Sequence, residues 1–208
     1  VSASYEDDTI AWYVNNGDDN PIWSDDDDTA TRVDIATSVD GATAVYIADM
    51  DGDGDLDIVS ASYLDDTIAW YENDGAANPS WSAADIATSA SGPYSVFLAD
   101  MDNDGDMDIV SASYADDTIA WYENDGAANP SWTAADIATS ADGAMSVFAA
   151  DMDNDGDMDI VSASYIDGTI AWYSNDGSAN PSWTAADIAT GAAGTTRSVF
   201  AADMDNDG

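Results

Sequence analysis

Acidic side chains recur in this chain at a spacing that suits a metal ion. Asp49-Met-Asp-Gly-Asp-Gly-Asp-Leu-Asp57 is followed by Asp100-Met-Asp-Asn-Asp-Gly-Asp-Met-Asp108 and by Asp151-Met-Asp-Asn-Asp-Gly-Asp-Met-Asp159. A further copy begins at Asp203-Met-Asp-Asn-Asp-Gly208. Carboxylates this dense repel one another unless a cation sits among them. A glycine at the sixth position of each run permits a turn sharp enough to fold them around one. Hard oxygen donors in a flexible loop, in a chain with no His or Cys, suit Ca2+ over Zn2+ or copper. Repetition of the whole motif argues against a merely solvated acidic turn. The sequence therefore predicts calcium-binding loops, with Ca2+ as the cofactor.

Other chemistries lack their residues. With no His, Cys or Lys, imidazole relays, thiol nucleophiles and Schiff bases are excluded. Paired carboxylates serve glycosidases, but almost every pair here belongs to one of the loops. The Asp-Asp turns at Asp7-Asp8, Asp65-Asp66 and Asp116-Asp117 recur as scaffold features do. A catalytic site is seldom duplicated in every repeat, so the expectation is that the protein is no enzyme.

The 43 acidic residues face only Arg32 and Arg197, a formal net charge of −41. Four divalent ions would offset a small part of that. The remainder fits surroundings of high ionic strength, where screening suppresses self-repulsion. No basic patch exists to neutralise phosphate, so neither nucleic acid nor an anionic membrane is expected as a partner. No apolar stretch approaches the length of a membrane-spanning helix, and no membrane insertion is expected. Asn78-Pro79-Ser80 and its copies are disqualified as glycosylation sites by the central proline.

The loops must be held by regularly repeated elements. Val-Ser-Ala-Ser-Tyr starts at Val1, Val59, Val110 and Val161, at intervals of 58, 51 and 51 residues. An acidic insertion over Ser24–Thr31, read as a surface loop, lengthens the first interval. A period near 50 belongs to propeller blades rather than helical solenoids. Alternating β-branched, aromatic and small residues, without a 3.6-residue periodicity, predict an all-β chain.

In the second full unit the strands are expected over Tyr94–Asp100, Asp108–Tyr114, Thr118–Asn124 and Trp132–Thr139. The fold class is thus a β-propeller of four-stranded antiparallel blades, with the calcium loop between the first two strands. Its four blade-equivalents cover residues 1–208: three blades over 42–88, 94–139 and 145–190, and one split between 1–37 and 197–208. A lone first strand is expected over 197–203, with an apolar edge at Ser198-Val-Phe-Ala-Ala-Asp203. That edge is a template for strand addition. It is expected to be completed by Val1–Tyr5 of the same chain, by adjoining residues of a longer chain, or by a neighbouring copy. The sequence reads as a segment of a longer protein.

The run Asp-Met-Asp-Asn-Asp-Gly-Asp-Met-Asp-Ile-Val, followed by Ser-Ala-Ser-Tyr and Thr-Ile-Ala-Trp-Tyr-Glu-Asn, resembles the FG-GAP/VCBS repeat family of β-propellers. That family includes the calcium-bearing blades of integrin α-subunits, bacterial surface and adhesion proteins, and certain fungal propeller lectins. The resemblance covers nearly the whole chain. Phe-Gly and Gly-Ala-Pro signatures are not present as such, and Val147-Phe148-Ala149-Ala150 stands where Phe-Gly would fall. The likeness is closer to the VCBS branch.

The resemblance implies side-chain ligands from loop positions one, three, five and nine, and a backbone carbonyl from position seven. These are Asp49, Asp51, Asp53, Asp57 and Asp55 in the first site, and Asp100, Asp102, Asp104, Asp108 and Asp106 in the second. In the third they are Asp151, Asp153, Asp155, Asp159 and Asp157, with Asp203, Asp205 and Asp207 beginning a fourth. An EF-hand would need a Glu at position twelve and flanking helices, whereas Ser60, Ser111 and Ser162 stand there.

Functionally the family implies a calcium-stabilised, non-catalytic structural or adhesion module, secreted or on the cell surface. The alternative it implies is a multivalent lectin. Its partners would then be glycans or other surface proteins, with self-association through open blade edges. Trp12, Trp70, Trp121 and Trp172 lie mid-strand and read as core between blades. Trp23, Trp81, Trp132 and Trp183 open the fourth strand and divide between core and sugar stacking. Tyr5, Tyr63, Tyr114 and Tyr165 read as strand-end packing.

Overall fold

The computed structural model describes residues 1–14, 32–191 and 196–204. The insertion over Ser24–Thr31, Trp23, Asp205 and Asp207 lie outside the described residues. Among those described, every regular element is a strand, in four antiparallel sheets. The first sheet holds β1 (Ser2–Ser4), β2 (Thr9–Tyr13) and β3 (Arg32–Ala36). The second holds β4 (Ala42–Ala48), β5 (Asp57–Ser62), β6 (Thr67–Asn73) and β7 (Trp81–Ala87). The third holds β8 (Pro93–Ala99), β9 (Asp108–Ser113), β10 (Thr118–Asn124) and β11 (Trp132–Ala138). The fourth holds β12 (Ala144–Ala150), β13 (Asp159–Ser164), β14 (Ile170–Asn175) and β15 (Trp183–Ala189). Each is a meander in sequence order, and the strands expected in the third sheet are found almost residue for residue.

Successive sheets face each other, and the core lies between them. Alternation along β9 shows how. Ile109 joins a cluster shared with Val59 and Trp70 of the second sheet, while Val110 and Ala112 join one shared with Val147 and Ile160 of the fourth. The segment Asp-Ile-Val-Ser-Ala-Ser is buried along its whole length in β5, β9 and β13. Trp70 and Trp121 are each 2% exposed, so the mid-strand tryptophans of these two sheets are core. The first strands stack through their rings, Tyr46 on Phe97 at 4.9 Å and Phe97 on Phe148 at 4.6 Å between centroids.

The Asp-Asp turns tie one sheet to the next. Asp8, Asp66 and Asp117 adopt left-handed backbone, φ 52°, 58° and 61°, a conformation Asp tolerates because its short side chain bonds locally. Their Oδ1 atoms accept the N–H of Gly41, Gly92 and Gly143 at 3.1, 2.8 and 2.8 Å. Each of those glycines opens the following sheet. The fourth sheet carries Gly168 at the equivalent place.

The strand expected over 197–203 needs correction, and closure through Val1–Tyr5 is the alternative not formed. Among the described residues the four sheets are not closed into a ring, and residues 196–204 form no strand and no ladder with Val1–Tyr5. That segment lies instead beside β12. Val199 N–H donates to Ser146 Oγ at 3.2 Å, Phe200 meets Phe148 at 4.5 Å, and Thr196 Oγ1 donates to the Ser164 carbonyl. These contacts repeat those of Val147 N–H with Ser95 Oγ and of Phe148 with Phe97, one sheet earlier. The segment therefore occupies the place of a first strand. It carries no ladder because no second strand of its own sheet stands beside it among the described residues.

Asp117→Ala should lower the unfolding free energy by about 1–2 kcal/mol, the cost of leaving the Gly143 N–H without its acceptor. Asp117→Asn keeps an acceptor and the left-handed turn and should lose less. Urea unfolding of the two variants separates these outcomes, and an alanine variant as stable as the parent would refute the tie.

Candidate metal centre

Each acidic loop joins the first two strands of its sheet, between β4 and β5, β8 and β9, and β12 and β13. The sixth-position glycines Gly54, Gly105 and Gly156 have φ 95°, 100° and 99°. A Cβ there would meet nothing within 4 Å, so the backbone angle, not crowding, demands glycine. With that turn the chain doubles back and its amides point at the first carboxylate. Asp49 accepts from Gly52 N–H at 2.8 Å and Gly54 N–H at 3.0 Å. Asp100 accepts from Asp104 and Gly105, and Asp151 from Asp155 and Gly156. The carboxylate at position five is held likewise, Asp53 by Asp55 N–H at 2.8 Å, Asp104 by Asp106 and Asp155 by Asp157.

The loops bring carboxylates together without any basic side chain. Oxygens of Asp49, Asp51 and Asp53 lie within 4.8 Å of one another, as do those of Asp151, Asp153 and Asp155. In the second loop the convergent group is Asp100, Asp102 and Asp108. Positions one and three thus converge in all three loops, position five in two and position nine in one. The carboxylates at position seven turn elsewhere. Asp55, Asp106 and Asp157 lie over Gly75, Gly126 and Gly177, where a Cβ would collide with them. Of the fourth set only Asp203 falls within the described residues, and it belongs to none of these groups.

Position nine ties the loop to its sheet. Asp57, Asp108 and Asp159 are essentially inaccessible, 1%, 0% and 0% exposed. One oxygen of each accepts a loop amide, from Met50, Met101 and Met152 at 3.2, 3.1 and 3.1 Å. The other accepts from the third strand, Asn73, Asn124 and Asn175 N–H, all at 2.8 Å. Burial pushes the Asp57 carboxyl up and that of Asp108 up to about 7, against the lowering effect of these amides. The Trp121 indole N–H also lowers it by proximity, although it falls short of hydrogen-bond geometry. Asp51, Asp102 and Asp153 are raised as well, first by desolvation and then by the neighbouring carboxylates. A cation fits this environment, because it would relieve both causes at once.

Sequence reasoning missed the asparagine that ends the third strand. Asn124 Nδ2 donates to the Met107 carbonyl of its own loop at 3.1 Å and to the Met50 carbonyl of the preceding loop at 2.9 Å. Asn175 repeats this with Met158 and Met101 at 3.0 and 2.7 Å. The signal was present in the invariable Asn closing Thr-Ile-Ala-Trp-Tyr-x-Asn. Asn103 Nδ2 adds a bond to Asp157 Oδ1 at 2.7 Å, so neighbouring loops are linked to one another. The strand-four residues Trp81, Trp132 and Trp183 are partly buried against the clusters between sheets.

Comparison with known proteins agrees with this repeat. A family model described as an FG-GAP-like repeat matches residues 49–111, 100–162 and 151–208. The first two matches each run from one acidic loop past the next, and the third starts at the last full loop. No curated protein matches this chain. Matches that overlap at the loops and together span everything from Asp49 onward show that the chain belongs to the FG-GAP-like repeat family.

Proposed function

We propose that this chain is a calcium-stabilised, non-catalytic propeller-type module of a secreted or cell-surface protein, with an adhesive or scaffolding role. The observation that carries this reading is the convergence of three carboxylates in each described loop, on a bed of backbone amides, with no cationic side chain among them. A cation relieves that arrangement while leaving the carboxylates ionised, and oxygen-only donors in a glycine-turned loop favour Ca2+. The residues that would hold it are Asp49, Asp51 and Asp53, then Asp100, Asp102 and Asp108, then Asp151, Asp153 and Asp155. Extracellular modules bind Ca2+ at roughly 10⁻⁴ to 10⁻³ M, and a calcium-rich setting outside the cell is the one in which such loops would be filled. Departure from the Phe-Gly and Gly-Ala-Pro signatures favours the VCBS branch.

Removal of the ion should destabilise the fold, because a ligand that binds only the folded state stabilises it by mass action. Chelation at low salt should lower the melting temperature by several degrees per emptied loop. An identical melting curve with and without EDTA would refute the calcium reading.

The size of that effect should depend on pH. A carboxyl raised in the folded state contributes stability that is present below its unfolded value near 3.8 and lost as pH rises through its folded value, about 7 for Asp108. At ~1.4 kcal/mol per pH unit, that is up to about 4 kcal/mol for the metal-free loop. The ion binds the ionised form and gains affinity over the same range. The gap in melting temperature between calcium-loaded and chelated protein should therefore widen from pH 5 to pH 7.5. A constant gap would contradict the assignment of Asp108 to the second ion.

Single sites are separable in number. Asp155→Ala should reduce the calcium stoichiometry measured by titration calorimetry by one. The bonds from Asn175 to Met101 and from Asn103 to Asp157 should pass a smaller loss of affinity to the second loop. Loss of all sites together, or of none, would contradict this.

A further inference from the structure

At the edge where the Asp-Asp turns lie, four tyrosines stand in a row, one from each sheet. Ring centroids are 6.5 Å apart from Tyr5 to Tyr63, 6.3 Å from Tyr63 to Tyr114 and 6.2 Å from Tyr114 to Tyr165. They line a basin of about 340 Å³. Each of the last three is half-buried. The edges of Tyr63 and Tyr114 lie against Gly92 and Gly143, where an added Cβ would meet them at 2.9 and 3.1 Å. The rings are therefore held by the backbone of the next sheet, not scattered on a surface.

Beyond Tyr165 the row ends in a cation. The Arg197 guanidinium sits 4.7 Å from the Tyr165 centroid, and its Nη2 donates to Tyr165 Oη at 3.4 Å. Arg197 is one of two basic residues in a chain of net charge −41.

The wall of the basin varies where the row does not. Thr43, Tyr94, Met145 and Arg197 hold one equivalent position, just before Ala44, Ser95, Ser146 and Ser198. In β4, β8 and β12 that residue is the extra one of a β-bulge, a device that re-aims a side chain. Tyr94 and Met145 reach the basin with it. Thr43 turns its hydroxyl to the Ala61 and Pro93 carbonyls instead, so a ring, a thioether and a guanidinium at equivalent positions form a varied rim beside four identical tyrosines.

We propose that this tyrosine row docks an extended peptide segment of a partner protein bearing arginine at alternate positions. Alternate residues of an extended chain are about 6.6–6.8 Å apart, close to the spacing of the rings. Side chains on one face of such a segment would each meet one ring, as Arg197 meets Tyr165. Tyrosine faces attract guanidinium and its planar group stacks on them. The acidic field of the chain would draw the segment in and keep anionic partners away. This assignment is independent of the metal loops.

The test is titration of the full chain in calcium-containing buffer at physiological salt, with a fluorescent Arg-Ser-Arg-Ser-Arg peptide. An isomer of the same charge, Arg-Arg-Arg-Ser-Ser, and a neutral oligosaccharide serve as comparisons. The alternating peptide should bind at least severalfold tighter than its isomer. Tyr114→Ala should weaken it about two- to fivefold, the range of one exposed cation–ring contact, whereas Tyr114→Phe should keep the affinity. Arg197→Gln removes the resident cation from an exposed position and should strengthen binding by a similar factor, whatever Tyr114→Ala does to folding. Equal binding of both peptides, indifferent to these variants, would show field attraction alone and overturn the proposal. So would no peptide binding, or oligosaccharide binding lost in Tyr114→Ala.

Discussion

The structure turns on a buried carboxylate. Asp57, Asp108 and Asp159 sit where the acidic loop ends and the second strand begins, out of contact with water. A charge in such a place is costly unless it is fully satisfied. Here each oxygen takes one backbone amide, from the loop on one side and from the third strand on the other. The carboxylate thus sets the loop against its own sheet. That leaves the first and third loop residues stacked in mutual repulsion, and the ion we propose would complete what the amides begin.

From that point order is passed sideways. The amide of Asn124 bridges its own loop and the loop of the sheet before, and Asn175 does the same. At the other edge of the sheets, Asp8, Asp66 and Asp117 reach the glycine that starts the next. Between the two rows of polar ties lie the apolar clusters that each pair of sheets shares. Every contact connects a unit to its immediate neighbours, as expected for a repeat in which no unit buries its hydrophobic faces alone.

Much of this was legible in the sequence. Strand positions followed from the alternation of residues and from turns at fixed offsets, and Gly54, Gly105 and Gly156 announced the loop geometry. The core role of Trp70 and Trp121 was likewise readable from their repetition mid-strand. Three features were not. The bridge that Asp108 makes between its loop and the third strand depends on burial between sheets, which a linear motif does not carry. Asn124 bonds a residue 74 positions away, a distance at which no local pattern applies. The strand-end packing of Tyr63 and Tyr114 was readable, but not their alignment in a row, because only the stacking of sheets lines them up. The terminal segment was read as a strand from its composition, yet a strand needs a partner and its apolar residues met only the flank of β12.

The most direct test of the central claim is an anomalous-diffraction map from crystals grown in millimolar calcium. It should show one ion in each of the three loops, ligated by Asp49, Asp51 and Asp53, by Asp100, Asp102 and Asp108, and by Asp151, Asp153 and Asp155. Loops that keep the same fold at that calcium concentration with no ion among these carboxylates would contradict it.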